Sequence, residues 1–333
     1  MDLKNYCKKV VATKLNALAE SGVDMVILNY EFTNSQQLSL KQVDGIINAQ
    51  LDIGENSAAG NHKLTITPSK NLSKGQAVAN IDIRIRQSIQ ADIQIDIISK
   101  DSVADLDLQT QVNIHLEQGA RLNLFLNETE VGCKQILKLI ATAESEAKLN
   151  ILAIEYQSPN SSKNILCKLV GRSAAFDYNA IDFGHSNIKH ESKIEASHEA
   201  NATSSTQSFR ALSSDAAKLH IDTLVRMNSQ ATASESHQLA KAILMSPNAR
   251  VTAKPQLRIE TDDVIANHGV AIGPLDEEQL HYMTTRGLST EDAHQLLITG
   301  FINEAIDKIH NPLWKESIHL ISSIELKKMA QKK

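Results

Sequence analysis

The residue best placed to do chemistry is His268, in Asn267-His268-Gly269-Val270-Ala271. A neutral imidazole is a competent iron ligand, and near neutral pH it also moves protons. The bland alternative is a histidine packed and hydrogen-bonded against a neighbouring strand. Asp262-Asp263, just upstream, resembles a carboxylate pair for hydrolysis. Adjacent strand residues point to opposite faces, however, so the two acids would not share a proton and read as structural. His185, His190, His198, His220 and His237 form a histidine-rich stretch whose spacing fits no standard ligand pattern, and they read as surface or corner residues. Cys7, Cys133 and Cys167 lie far apart with no CxxC, which argues against a zinc ribbon and a disulfide framework. Cys133 and Cys167 read as small buried hydrophobes.

Other chemistries lack their motifs. The chain has no G-x-x-x-x-G-K-[ST], no G-x-S-x-G and no H-E-x-x-H. A formal charge of -5, from 34 basic and 39 acidic residues, carries no nucleic-acid signature. The terminal lysines Lys327, Lys328, Lys332 and Lys333 read as a solvated tail. No apolar run approaches the roughly 18 residues of a membrane span. The charged N-terminus lacks a signal peptide's apolar core, and the reading is a cytoplasmic, reduced protein.

The elements that must position these residues are mostly short strands. Ile81, Ile83 and Ile85 alternate with Asp82, Arg84 and Arg86; Ile93, Ile95 and Ile97 alternate with Gln94 and Asp96. Leu106 to Leu116, Leu122 to Leu126 and Leu219 to Val225 continue the pattern. Each segment buries one face and wets the other. An antiparallel sandwich and a β-helix both fit such a series. Hairpins would bring frequent two-residue turns, yet there are only 13 glycines and no Asn-Gly, which favours a solenoid. Connections such as Ser99–Ser102 and Glu117–Ala120 read as corners. The polar residues 184–217 read as exposed rungs or a long loop. Aromatics form 4% of the chain, so aliphatic layers must fill the core.

Val10, Val11, Leu15 and Leu18 are spaced as on a helix that Gly22 would end. After residue 273 the reading is helical again. Asp276 with Gln279, and Ser289 with Asp292, have capping-box form, and Ala293, Leu296, Leu297, Phe301, Ala305, Ile306 and Ile309 trace an apolar stripe as far as Pro312. The expected organisation is a short N-terminal helical segment and lead-in (1–45), a β-helix core (46–273) and a C-terminal helical domain (274–333).

Residues 254–301 carry a specific resemblance. Lys254-Pro255-Gln256-Leu257-Arg258-Ile259, Asp262-Asp263-Val264, His268-Gly269-Val270-Ala271 and Gly273 resemble the end of the SufB/SufD core, closest to the D-type. The likeness continues through Leu275-Asp276-Glu277-Glu278-Gln279-Leu280, Tyr282, Arg286-Gly287-Leu288-Ser289, Ala293, Gly300 and Phe301. It is sharp over about 245–305 and pattern-level before that. It implies a mainly β protein, a right-handed parallel β-helix with a helical C-terminal domain, serving as a non-enzymatic scaffold in iron–sulfur cluster assembly. The family's long N-terminal helical domain has at most about 20 counterpart residues here. The implied partners are a SufC-like ATPase and a SufB-like subunit or a second copy of this chain. Tyr282, Arg286, Gly287, Leu288 and Phe301 are the implied partner-binding residues, against a bland reading of Tyr282, Arg286 and Gly287 as a tight interhelical turn.

His268 matches the family's assembly-site histidine and is the tentative metal ligand. Where the B-type carries a cysteine, this chain has Leu239–Met245, with no cysteine after Cys167. Because thiolates are the usual cluster ligands, the chain alone is expected to hold no stable cofactor. A transient cluster would form in the complex, and flavin binding there is left open. A minimal homodimeric scaffold is the alternative within the family. A β-helix carbohydrate-active enzyme is the alternative outside it, disfavoured because the single Trp, Trp314, lies in the helical tail.

Overall fold

A computed structural model describes residues 26–32, 38–43, 46–54, 61–68, 74–98, 105–129, 133–156 and 160–330. Eighteen strands among them form two nine-stranded sheets. The first holds, in spatial order, β1 (Val26–Phe32), β4 (Asn61–Pro68), β6 (Gln90–Ile98), β8 (Arg121–Thr129), β10 (Lys148–Tyr156), β12 (Ala175–Gly184), β14 (Ser204–Ser213), β16 (Ser234–Leu244) and β18 (Val264–Gly273). The second holds β2 (Leu38–Val43), β3 (Ile46–Ile53), β5 (Lys74–Ile85), β7 (Asp105–Leu116), β9 (Lys134–Ala143), β11 (Asn160–Leu169), β13 (Lys189–His198), β15 (Lys218–Met227) and β17 (Arg250–Ile259).

From β3 onward successive strands alternate between the sheets and pair with one another in parallel, so each turn contributes one strand to each sheet. Only β1–β4 and β2–β3 are antiparallel. The fold is a parallel β-solenoid, as the turn-poor alternation predicts. The helix expected near residues 2–20 lies outside the described residues, while Val26–Phe32 and Leu38–Val43 of the lead-in form β1 and β2.

In-register stacking explains why so few aromatics suffice. Equivalent positions recur after 27 residues between β8 and β10 and after 31 between β14 and β16. Strand side chains alternate between faces, so inward positions form columns through the lumen. Ile93, Leu124 and Ile151 make one such column, all buried. Each aliphatic side chain is covered by the turns before and after it.

The corners stack as well. Ser88, Gly119, Glu146, Ser173, Ala202 and Ala233 occupy equivalent corners with positive φ. Each donates its backbone N–H to a carbonyl of the next corner: Ser88 to Gln118, Gly119 to Ser145, Glu146 to Arg172, and onward to Ala233, which donates to Asp263. That ladder satisfies backbone groups a corner would otherwise leave open, and it offsets the cost of a left-handed residue. Within residues 184–217, expected to be exposed rungs or a long loop, Lys189–His198 and Ser204–Ser213 are the rungs β13 and β14, with His190, Ser192, His198, Ser205 and Gln207 facing inward and buried.

Helices α1 (Glu277–Thr285), α2 (Thr290–Ile306) and α3 (Pro312–Ala330) follow β18. Asp276 caps α1 by accepting from the Glu278 and Gln279 N–H groups, and Ser289 caps α2 by accepting from Asp292 N–H. These are the two boundaries that the capping residues signal. α2 and α3 lie on the outward face of the first sheet. There Phe125, Ile154, Ile181, Phe183 and Leu212 pack against Ile298, Ile302, Trp314 and Ile318. The buried face of α2 is therefore Ala293, Ile298, Ile302 and Ile306, whereas Leu296 of the expected stripe is exposed. Arg210 fixes the contact, reaching Glu304 at 2.5 Å and lying over the Phe301 ring at 5.6 Å.

Corner stacking is closest at Gly171, where an added Cβ would sit 1.9 Å from the Ser145 backbone nitrogen. Gly171→Ala should therefore destabilise the solenoid by about 3 kcal/mol. Gly300→Ala, on α2 with nothing within 4 Å, should be neutral or slightly stabilising. Chemical denaturation of both variants checks the contrast.

Candidate functional site at the end of the solenoid

Among the described residues, the last turn differs from the preceding ones in having no turn beyond it. β17 and β18 each pair on one side only. His268 pairs with Gln238, which continues through Gln207 and Tyr178 to Ile151. Those four are buried, so the column faces the lumen and His268 stands at its open mouth, exposed. Ile259 and Val270 share columns with buried Met227 and Ala240, yet are 41% and 45% exposed. The mouth is thus an apolar rim around one imidazole.

Asp262 and Asp263 lie in the corner before β18, not on a strand. Asp263 ends the corner ladder, its carbonyl and one carboxylate oxygen both accepting from Ala233 N–H. The acids read as structural, though for corner reasons rather than strand alternation. Cys133 and Cys167 are buried, and burial pushes the Cys167 thiol far above its ordinary pKa.

Deeper in the lumen lies a charged cluster. Glu128, Glu155 and Asp182 stack in one column on β8, β10 and β12, all at most 2% exposed. Across from them, the Lys163 ammonium on β11 meets Glu128 at 2.7 Å and Glu155 at 3.4 Å. Gln135 donates to Glu128 at 2.6 Å, Ser161 donates to Glu155, and His190 lies 3.7 Å from Glu155. Three carboxylates face one ammonium. Burial raises the Glu128 and Asp182 pKa values to about 7, against the pull of Lys163. Burial opposes the Lys163 charge too, but Glu128, Tyr178, Glu155 and Asp182 outweigh it and hold its pKa well above the ordinary value. Lys163 therefore stays charged, and protons neutralise the surplus acid. Sequence reasoning passed over this cluster. Its signal was an acid at the same inward position in three successive turns, visible only once the register is known.

A second polar network runs beside it. His198 is held between the Thr203 and Ser205 hydroxyls, each at 2.8 Å, and these bond onward to Ser234 and Ser236 one turn later. Burial pushes the His198 pKa down to about 4, so it is neutral at physiological pH. His190 and His198 are lumen residues, contrary to the surface reading. His185 is half-buried beside Glu325 of α3, His220 lies near Asp222, and His237 bonds Asn267 on the outer face. Among the described residues no three His, Cys, Asp or Glu side chains are grouped to hold a metal ion.

Residues 65–301 match the sequence profile of the SUF system FeS cluster assembly, SufBD core domain, family. The chain belongs to the SufBD family. It is 26% identical over 155 residues to the iron–sulfur cluster assembly protein SufD of Escherichia coli, covering 46% of this chain and 37% of that one. It is 34% identical over 97 residues to SufD of Bacillus subtilis, covering 29% and 22%. Against Protein ABCI7, chloroplastic, of Arabidopsis thaliana the identity is 42% over 87 residues, covering 26% and 18%. The matched stretches thus span well under half the length of these relatives.

On this SufBD chain the expected partner-binding residues fall into two places. Tyr282 is 59% exposed, and the Arg286 guanidinium lies 5.1 Å over its ring. Gly287 takes φ +95 after α1 and donates to Thr284, while half-buried Leu288 donates to Met283. These four form one surface corner between α1 and α2. Phe301 belongs elsewhere, against Arg210 and the sheet. α1 has no buried residue, and a cleft of about 1010 Å³ opens between the three helices and the end of β16. Among the described residues no helix is long and apolar enough to cross a membrane.

The lumen cluster gives a pH signature. The folded pKa values of Glu128 and Asp182 exceed their ordinary values of 4.5 and 3.8. Their contribution to stability is complete below those values and is lost as pH rises through about 7. His198, with a depressed folded pKa, contributes above 6.5 and loses its contribution as pH falls through about 4. Asp182→Asn should flatten the decline in Tm between about pH 5 and 8, read by thermal unfolding across a pH series.

Proposed function

We propose that this SufBD chain is a non-enzymatic, D-like scaffold subunit of a Suf-type iron–sulfur assembly complex. In it, His268 supplies an imidazole to a site completed by a partner's thiolate. The observation that carries this reading is His268 at the mouth of a solenoid whose last turn is uncovered. Two half-paired edge strands, the exposed rim residues Ile259 and Val270, and exposed Ile265 on the outer face of β18 are a liability at the last of the described turns. A second solenoid end, from a SufB-like subunit or another copy of this chain, would satisfy both. The nascent cluster is cargo at that junction. Imidazole donates a lone pair to iron, and thiolates bring the charge that this chain lacks.

The exposed corner of Tyr282 and Arg286, at the end of a helix with no fully buried residue, suits a protein partner. Aromatic and arginine anchors dominate such interfaces, and the family resemblance points to a SufC-like ATPase there. ATP-driven motion of the docked ATPase would then move the paired solenoids and open the site around His268.

Three measurements test the reading. His268→Ala in the purified complex should lower cluster formation at least about tenfold with pairing intact; unchanged assembly with intact pairing removes His268 from the mechanism. Val270→Lys places a charge on the rim and should leave the chain monomeric in analytical ultracentrifugation while its Tm holds. Tyr282→Ala with Arg286→Ala should weaken affinity for the ATPase at least about tenfold. A wild-type monomer with no ATPase affinity would overturn the reading as a whole.

A further inference from the structure

The column beneath His268 is a directed chain of amides. Gln207 is fully buried, and its Nε2 donates to the Leu224 carbonyl at 3.4 Å. A backbone carbonyl only accepts, so the Gln207 amide must present nitrogen to Leu224 and keep its oxygen for the next turn. That oxygen accepts from Gln238 Nε2 at 3.3 Å. The Gln238 amide is thereby oriented in turn, and its Oε1 is left as the terminal acceptor. Gln238 is 3% exposed, and this oxygen has no hydrogen-bond partner. A buried acceptor left open costs free energy. The residue paired with Gln238 in the next turn is His268, and parallel neighbours stand about 4.8 Å apart, within reach of both side chains.

We propose that Gln238, oriented by Gln207, is the positioning residue for His268: its Oε1 accepts the ring N–H that faces the lumen. This fixes one tautomer and aims the other ring nitrogen, with its lone pair, out of the mouth. Ligating histidines are held in this way, with the second nitrogen bonded to an oxygen behind it. The direction comes from Leu224, two hydrogen bonds away, because amide polarity propagates along the column. The ligand for the outward nitrogen is a soft or borderline metal centre; this part rests on the function proposed above, whereas the tautomer does not.

The test uses the full chain labelled with 15N-histidine, reading ring tautomers from long-range 1H–15N correlations at a pH where His268 is neutral. His268→Gln identifies its signal by loss. The wild type should show one dominant tautomer. Gln238→Leu should shift the tautomer ratio about fivefold toward that of free imidazole, the size of one net hydrogen bond. Gln238→Glu keeps an acceptor at that place and should retain the wild-type tautomer. Gln207→Leu leaves Gln238 in place but frees its amide to turn over, and should give an intermediate ratio. An unchanged ratio in Gln238→Leu, or in Gln207→Leu should the former not fold, overturns the proposal. A fixed tautomer alongside unimpaired assembly by His268→Ala would instead leave the positioning intact and sink the assembly role.

Discussion

Everything in this protein follows from parallel, in-register stacking of one turn on the next. Each turn covers the inward face of its neighbour, so the core is a set of columns rather than a layer between two sheets. That explains a core of Ile, Leu and Ala with few rings. It also makes the ends special, because among the described residues no further turn covers the last one. The exposure of Ile259 and Val270, in columns otherwise buried, is a geometric consequence of the fold. Such an end must be capped by another body or be tolerated, and repeat proteins usually cap it. Here the C-terminal helices do not. They fold back along the outer face of the first sheet, where Asn311 reaches Asp92.

Much of this was legible. The period-two runs at Ile81–Ile85 and Ile93–Ile97 give strands, and the scarcity of glycine turns separates a solenoid from hairpins. Asp276 and Ser289 mark the helix starts because a capping side chain has one place to be. What was not legible depends on register. Glu128, Glu155 and Asp182 look like ordinary outward acids until the pairing places them in one lumen column. The stretch 184–217 looks like solvent-facing chain because its polar residues satisfy one another, His198 between two hydroxyls, and not water. The non-glycine corners at Ser88, Glu146 and Ala202 carry no turn signature, since their left-handed conformation is supported by the next corner rather than by their own side chains. His268 is singled out by its neighbours in sequence, but its placement in a lumen column is a fact of pairing.

The polar lumen is costly, and its form suggests what the cost secures. A buried ion pair seldom stabilises more than a packed hydrophobic alternative would. It does punish error. A slip of one residue in any strand turns every side chain to the other face. In an all-aliphatic column a slip by two would be nearly silent. With Lys163 required between Glu128 and Glu155, such a slip strands charge without a partner. The cluster therefore fixes the register of the central turns, and through stacking it fixes the turns that follow. The amide column begins one turn after the Asp182 strand, at Gln207 on β14, and runs to the mouth. The position of His268 is thus inherited, turn by turn, from an ion pair buried in the middle of the solenoid.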